Sequence, residues 1–439
     1  MNYSIYYQYL LLLKDNGYFR DLERVGLPDH LYSGEKIKYF MANTEQIVFE
    51  VTDACNLNCK YCGYGDLYLD YDKRVGKNLS VKTARTLFDY VFELKESPLN
   101  DRYSKKIGVG FYGGEPLLNI DFVKEMVDYV KKKKLPHNEF IFMMTTNGVL
   151  LDRHMDFLAK NDFLLSISLD GDRFSNSYRV FHNGEPSFET VFNNILKLKA
   201  DYPEYFRRRI NIMSVLHNRN AYKDILSFMD SHFSKTPRLL LLSTIGVRPE
   251  KKDDLCKIRK HLNGFAPKDI REFKKNKKKI SSLPGKVEIE NLLSEFSGFV
   301  YTKYDQLIYN NKDQFIDFTG TCQPFHLKTY ITVNGKLLPC EKVTHKFSLG
   351  SVGDTGVSID FEEIAAKYNN LYSKVGRLCK SCHQSHYCEQ CILQLNFMDA
   401  EMECSEYKDF RQYKAAVSKK LSALETIPQL YREILRDRH

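Results

Sequence analysis

The stretch Ile47-Val-Phe-Glu-Val-Thr-Asp-Ala-Cys55-Asn-Leu-Asn-Cys59-Lys-Tyr-Cys62 decides the fold. Its first six residues are mostly apolar and β-branched, the composition of a buried strand. The cysteines that follow are separated by three and two residues. Three thiolates on one loop can hold three irons of a [4Fe–4S] cube and leave the fourth open to a ligand. A zinc knuckle uses the same residue type, and the spacing alone leaves both readings standing. The loop lies at the carboxyl end of its strand, where parallel α/β folds bind ligands.

Outward from this strand, short apolar runs alternate with amphipathic ones from residue 46 to about residue 245. The apolar runs predict strands at Ile47–Thr52, Ile107–Tyr112, Phe140–Thr145, Leu164–Leu169, Ile210–Leu216 and Leu239–Thr244. Helical spacing recurs after Ser80, a good N-cap, and over Ile120–Lys134, His154–Asn161, Phe188–Lys199 and Tyr222–Phe233. Such alternation predicts an α/β fold with a parallel sheet, a partial (β/α)6 barrel of the TIM type.

Polar or glycine motifs follow three of these strands: Gly113-Gly114-Glu115-Pro116, Thr145-Thr146-Asn147-Gly148 and Ser166-Ile-Ser168-Leu-Asp170-Gly171. Glycines admit close backbone approach, and a neighbouring carboxylate can accept from an ammonium group. Each motif alone is also an ordinary turn. Arg179 and Ser187-Phe188-Glu189-Thr190-Val191 come next.

Composition sets the class. The chain has 439 residues, 43% hydrophobic and 28% charged, which is globular and long enough for more than one domain. Lys+Arg exceed Asp+Glu by 65 − 56 = 9. Much of that excess sits in Lys131–Lys134 and in 274–279, read as a solvated helix end and an exposed connection. No aromatic-interleaved basic patch points to nucleic acid. The run Leu10–Leu13 is too short for a signal core or a membrane span. Eleven cysteines without an export signal argue for metal or catalysis and a cytoplasmic setting.

Seven cysteines form a second set: Cys322, Cys340, Cys379, Cys382, Cys388, Cys391 and Cys404. Between the first two, Tyr330-Ile-Thr-Val-Asn334-Gly335-Lys-Leu-Leu-Pro339 reads as a hairpin turning at Asn-Gly. The Cys-x2-Cys pairs fit zinc ribbons and iron–sulfur clusters alike. Residues 246–320 break the βα alternation and read as a helical connection, with Cys256 a free buried thiol and the aromatic tract Tyr301–Phe318 packing on the barrel.

The Cys-x3-Cys-x2-Cys loop with Tyr61 before its last cysteine, followed by Gly113–Pro116 and the Ser168 to Arg179 stretch, resembles the radical S-adenosylmethionine (SAM) enzymes. The second set resembles the C-terminal SPASM extension found in maturases of ribosomally made peptides. The resemblance implies a [4Fe–4S] cluster on Cys55, Cys59 and Cys62 whose open iron binds SAM. It implies cofactor contacts at Tyr61, Gly113, Gly114, Glu115, Asn147, Ser168 and Arg179: the Gly-Gly-Glu motif at the methionine amino group, Ser168 at the ribose, Arg179 at the carboxylate. It further implies two auxiliary [4Fe–4S] clusters, one on Cys379, Cys382, Cys388 and Cys404, the nearer one on Cys322, Cys340 and Cys391. The interval Cys388-x2-Cys391 departs from the family's usual three. With three thiolates, the nearer cluster takes a fourth ligand such as His326 or leaves an iron open.

On this resemblance the chain divides into an N-terminal extension (1–45), a radical SAM partial barrel (46–245), a helical connection (246–320), a small cysteine-rich SPASM domain (321–405) and a C-terminal helix (406–439). The implied activity is reductive cleavage of SAM and hydrogen abstraction from a precursor peptide, closing a thioether or carbon–carbon crosslink. Flavodoxin or ferredoxin would supply electrons, and a separate protein would grip the leader. An anaerobic sulfatase-maturing enzyme, forming formylglycine, is the neighbouring reading. Those relatives carry a basic aspartate where Glu341 stands here, and Glu341 reads equally as a surface residue. A non-enzymatic zinc and RNA-binding protein is the reading from another class.

Overall fold

Strand β1 (Gln46–Thr52) is buried at six of its seven positions and has a neighbour on each side. The computed structural model describes residues 31–69, 71–101, 106–135, 138–259, 319–385, 388, 390–395, 404 and 406–426, with residues 8 and 11. β2 (Lys106–Gly113), β3 (Glu139–Thr146), β4 (Leu164–Ser168), β5 (Ile210–Leu216) and β6 (Arg238–Leu241) follow β1 in sequential parallel order. This is the α/β partial barrel that the alternation predicts.

Crossover helices cover one face of the sheet. Phe49, Phe111, Met144, Leu165 and Ile212 point to that side and are buried. The opposite face is the lumen, and the alternating burial of β3, β4 and β5 marks it. Glu50 registers with Tyr112, and Thr145 with Ser166 and then Asn211, so a polar row lies near the mouth. Below it the lumen is filled. A Cβ on Gly108 would stand 2.7 Å from Met143 Sδ, and one on Gly110 2.9 Å from Val48 Cγ2, so bare backbone admits those two side chains.

Helix lengths follow local chemistry. The crossover helix α2 (Val81–Glu96) starts at Ser80, whose hydroxyl accepts from Thr83 N at 3.3 Å. Helix α3 (Ile120–Lys131) stops short of the expected Lys134, because Pro136 and a run of like charges follow. Lys133 pairs with Asp89 at 2.7 Å, a satisfied surface lysine. α4 (Leu151–Lys160) begins three residues earlier than expected, and α5 (Phe188–Asp201) leads into a short helix α6 (Pro203–Arg209). α7 (Tyr222–Phe233) matches the expectation end to end. β6 is shorter than expected, since the chain beyond it leaves β5 to bond the cysteine-loop side: Tyr68 Oη donates to Ser243 O and Leu69 N to Gly246 O.

Two parts were not legible as placed. The Asn334-Gly335 hairpin forms as expected, with Gly335 at φ +76°, between β7 (Thr329–Ile331) and β8 (Leu337–Leu338). It also docks β7 parallel to β1, widening the sheet to eight strands. A small ribbon of β9 (Ser351–Gly353) and β10 (Gly356–Ser358) precedes α8 (Phe361–Ser381), which carries Cys379 in its last turn. The segment before β1 forms α1 (Gly34–Ala42), capped by Ser33, and leans on α8. Tyr32 packs edge-on against Tyr368 and exchanges hydrogen bonds with the Asn369 amide at 3.0 and 2.9 Å.

Cys256 corrects one expectation. Its short helix, Lys252–Ile258, buries only Leu255, so the thiol is exposed. The lysine cluster at 274–279 and the tract 301–318 lie outside the described residues. The C-terminal segment forms helix α9 (Phe410–Thr426). Among the described residues no helix is long and apolar enough to cross a membrane.

Candidate functional site

The β1–β2 pairing runs on into the cysteine loop. Gly114 N donates to Thr52 O and Glu115 N to Ala54 O, each at 2.8 Å. A Cβ on Gly113 would sit 2.3 Å from Thr52 O, and one on Gly114 2.0 Å from Ala54 O. Only glycine lets these backbones meet, and Gly113 also takes φ +132°. The glycine motif therefore stands directly against the loop of Cys55, Cys59 and Cys62.

The loop is pinned from its other side. Asn58 N donates to Val180 O at 2.7 Å and Lys60 N to Tyr178 O at 3.0 Å. Cys55 Sγ accepts from Leu57 N at 3.4 Å and Asn147 Nδ2 at 3.7 Å, and that amide also donates to Asn56 Oδ1 at 2.7 Å. Burial pushes the Cys55 thiol up to about 11 and Cys59 up to about 12. Thiolates in such surroundings need a cation, which is what iron supplies.

Glu115 and Arg179, which the resemblance places at the cofactor, both have protein partners. Glu115 is fully buried, and its carboxylate accepts from Leu117 N at 3.2 Å, Thr146 Oγ1 at 2.7 Å and Asn147 N at 2.7 Å. It ties the second motif to the third, and burial raises its pKa to about 7. Arg179 forks onto the fully buried Asp170, Nε to Oδ2 and Nη2 to Oδ1 at 3.0 Å each. Its guanidinium also lies 5.4 Å over the Tyr61 ring, and the Tyr61 hydroxyl donates to Asp170. Desolvation opposes it, but Arg179, His217 and Tyr61 together hold the Asp170 carboxyl down at about 2. Tyr61, Asp170, Arg179 and His217 thus form a polar wall behind the loop. Ser168 ends β4 half-buried, on the lumen face with Ser166.

The sequence motif Ser166–Gly171 assigns Asp170 no role of its own. Arg74 had no signal in the sequence at all. Its Nη2 lies 3.7 Å from Cys62 Sγ, and its guanidinium 4.1 Å over the Tyr64 ring. The segment carrying it is sewn to the hairpin: Asp72 accepts from Lys336 Nζ at 2.7 Å and Asn334 Nδ2 at 3.0 Å, and Asp53 accepts from Lys77 N at 2.8 Å.

The C-terminal thiols separate into two groups. Cys340 feels the charge of Cys391, and Cys391 that of Cys322. Cys379 feels Cys388, Cys382 and Cys404. Among the described residues no three of His, Cys, Asp and Glu converge as ligands of one ion would. A tetrahedral zinc site brings sulfurs to about 3.8 Å of one another, whereas a cube spreads them over its corners. All seven donors are thiols, the ligand type that zinc sites and iron–sulfur clusters both take. His326 packs edge-on against Phe40 with ring centroids 5.8 Å apart, and its carbonyl accepts from Glu45 N. Glu341 is no surface residue: its side chain is 16% exposed and pairs with Lys328 Nζ at 2.6 Å, which keeps its carboxyl below the usual range against the pull of burial.

Tyr71 and Tyr112 connect the first and second sets. Tyr71 is within electrostatic reach of Cys62, Cys340 and Glu341, and Tyr112 of Glu341, Tyr71 and Cys62. A three-thiol loop at the mouth of a partial barrel, with further thiol groups beside it, defines an iron–sulfur enzyme. Residues 49–231 match the Radical SAM superfamily, and this match, with the maturase relatives below, indicates an enzyme, a radical SAM oxidoreductase. That superfamily binds a [4Fe–4S] cluster and SAM.

A cysteine-type anaerobic sulfatase-maturating enzyme of Clostridium perfringens is 25% identical over 390 residues, 84% of this chain and 95% of the relative. The radical SAM cyclopropyl synthase TigE of Paramaledivibacter caminithermalis is 24% identical over 178 residues, 39% of this chain and 35% of that protein. The structure of native anSMEcpe with bound AdoMet and Kp18Cys peptide shares the fold, with TM-score 0.54 and 19% identity over 89% of this chain and 98% of that one. The chain is thus similar over most of its length to a sulfatase-maturating enzyme and shares the fold of the anSMEcpe structure.

Proposed function

We propose that the enzyme matures a peptide: it takes a hydrogen atom from one residue held over the barrel mouth, and the oxidised residue closes a thioether or carbon–carbon crosslink. The observation that carries this reading is that Tyr71 and Tyr112 each lie within electrostatic reach of both Cys62, in the first cysteine set, and Glu341, next to Cys340 of the second. Cys55, Cys59 and Cys62 would hold the SAM-binding cluster, with Tyr61, Gly113, Gly114, Asn147 and Ser168 around the cofactor. Cys322, Cys340 and Cys391 would hold the nearer auxiliary cluster, and Cys379, Cys382, Cys388 and Cys404 the farther one. When bound, these groups supply the 5′-deoxyadenosyl radical and a sink for the electron that the peptide gives up.

The chain's own part is placement and proton handling. The half-buried rings of Tyr71 and Tyr112 limit water access between the two thiol sets. Glu341, ionised and steadied by Lys328, accepts the proton that the oxidised residue sheds. The substrate is a ribosomally made precursor, its leader gripped by a separate protein, and flavodoxin or ferredoxin is the electron donor. The setting is the cytoplasm.

Glu341 also favours a second reading, formylglycine formation on a sulfatase-like peptide, because it directly follows Cys340 and is held charged in a half-buried site. Mass spectrometry separates the two. Reconstituted enzyme with SAM, reductant and a cysteine-containing peptide yields a product lighter by two hydrogens for a crosslink. An aldehyde in place of the thiol marks formylglycine. Deoxyadenosine formed with neither change in any peptide would sink both.

A further inference from the structure

We propose that Arg74 sets the reduction potential of the cluster on Cys55, Cys59 and Cys62 by placing a fixed positive charge and an N–H donor on Cys62 Sγ. The inference rests on the assignment of those three cysteines to the cluster.

Arg74 stands apart from the other arginine at this loop. Arg179 is neutralised by Asp170. Among the described residues Arg74 makes no ion pair: Nη2 meets Cys62 Sγ at 3.7 Å, and Nε is buried with no hydrogen-bond partner. An arginine cannot shed its proton in a protein, and a half-buried guanidinium with an unpartnered Nε gains from an anion beside it. Its charge reaches the buried Glu50 carboxylate on one side, and on the other it faces Cys62, where the cluster and its three thiolates would add negative charge. The guanidinium acts beyond Cys62, since its charge also reaches Cys55.

Arg74 cannot swing away easily. It lies against the Tyr64 ring, the Tyr64 hydroxyl donates to Glu50, and the Glu50 carboxylate accepts from Val333 N of the hairpin at 2.8 Å. Glu50 is 1% exposed, so this chain of contacts is fixed from the C-terminal hairpin to the first cluster loop. Reduction adds one negative charge to the cluster. A hydrogen-bond donor and cation on a ligand sulfur stabilise that state and raise the potential.

The test is a redox titration by electron paramagnetic resonance on full-length, reconstituted protein. It follows the signal that moves when SAM is added, with iron and sulfide measured alongside. In Arg74→Gln the midpoint of that signal falls, so the reduced-to-oxidised ratio at a fixed applied potential drops tenfold or more, about 59 mV per factor of ten for one electron. Arg74→Lys, which keeps charge but not the planar donor, falls in between. Signals that SAM does not move stay where they are. Equal midpoints in all three proteins overturn the proposal. So does loss of first-cluster iron in Arg74→Gln with retention in Arg74→Lys, which would make Arg74 a clasp on the loop. A SAM-responsive signal that survives Cys62→Ala would instead sink the cluster assignment beneath it.

Discussion

Asp170 and Arg179 form a two-pronged ion pair with both side chains almost wholly out of water, the carboxylate at 0% and the guanidinium at 10% exposure. Asp170 also accepts from Tyr61 Oη and from Val215 N at 2.8 Å, so one carboxylate joins the cysteine loop, the end of β4 and β5.

Asp170→Asn should therefore cost about 3–5 kcal/mol, the usual penalty for stranding one partner of a buried pair. The wild-type contribution has a definite pH window. The folded pKa of about 2 lies below the ordinary 3.8, so the stabilisation is full above about pH 4 and fades as pH falls towards 2. Chemical denaturation from pH 7 down to pH 3 should show the wild type converging on the variant, and a constant gap would refute the pairing.

Glu115 behaves the opposite way. Burial raises its folded pKa from 4.5 to about 7, so wild-type stability declines as pH rises through that interval and levels off above it. Glu115→Gln carries no such titration and should lack the slope. It also points an amide N–H₂ at donors that want an acceptor, costing about 1–3 kcal/mol. Parallel denaturation curves for both proteins from pH 5 to pH 8 would contradict this.

The sheet was legible because its strands are local patterns, as in the end-to-end match of Ile210–Leu216, and the helix Tyr222–Phe233 was legible in the same way. The helix Phe361–Ser381 carried the same signal, an Asp360 cap and apolar residues at Ile364, Tyr368, Leu371 and Val375, which reading the region as a ligand framework passes over. What periodicity cannot carry is contact across distance. Val333 bonding Glu50, Asn334 bonding Asp72, and Arg74 lying on Cys62 involve no repeat in the sequence. The same limit explains Glu115 and Arg179. A motif fixes which residue stands at a turn, while the fold decides whether that side chain meets a ligand or another protein group.

Gly114→Ala should fail at the loop itself. Its new Cβ would lie 2.0 Å from a backbone oxygen, and no flexible side chain can yield there. The β1 and β2 ends must part, at about 1–3 kcal/mol and with loss of first-cluster iron. Iron and sulfide analysis after reconstitution checks this, and full iron loading in the variant would show that the close approach is dispensable.

Three cubes predict about 12 iron atoms per chain with equal sulfide. The two C-terminal thiol groups should then lose iron independently. Cys391→Ala strikes the group with Cys322 and Cys340, and Cys382→Ala the group with Cys379, Cys388 and Cys404. Each variant should fall to about 8 iron, and the double variant to about 4. Zinc in place of iron, or the same four atoms lost in single and double variants, would contradict two separate clusters.

Glu341→Gln separates proton transfer from radical formation. The residue stands near Tyr71, Tyr112 and Cys340, and Lys328 keeps it ionised, so the variant removes a base without adding bulk. Deoxyadenosine formation should persist, because nothing at Glu341 touches the first cluster loop. Peptide product should fall about 100-fold or more, the usual share of a general base. The Lys328 ammonium is left facing an amide, so part of the loss could be structural. Glu341→Asp answers this: it keeps the charge while shortening the reach, and should recover part of the product yield. If Glu341→Gln makes product at the wild-type rate, the carboxylate does no more than balance Lys328, and the proton leaves by another route.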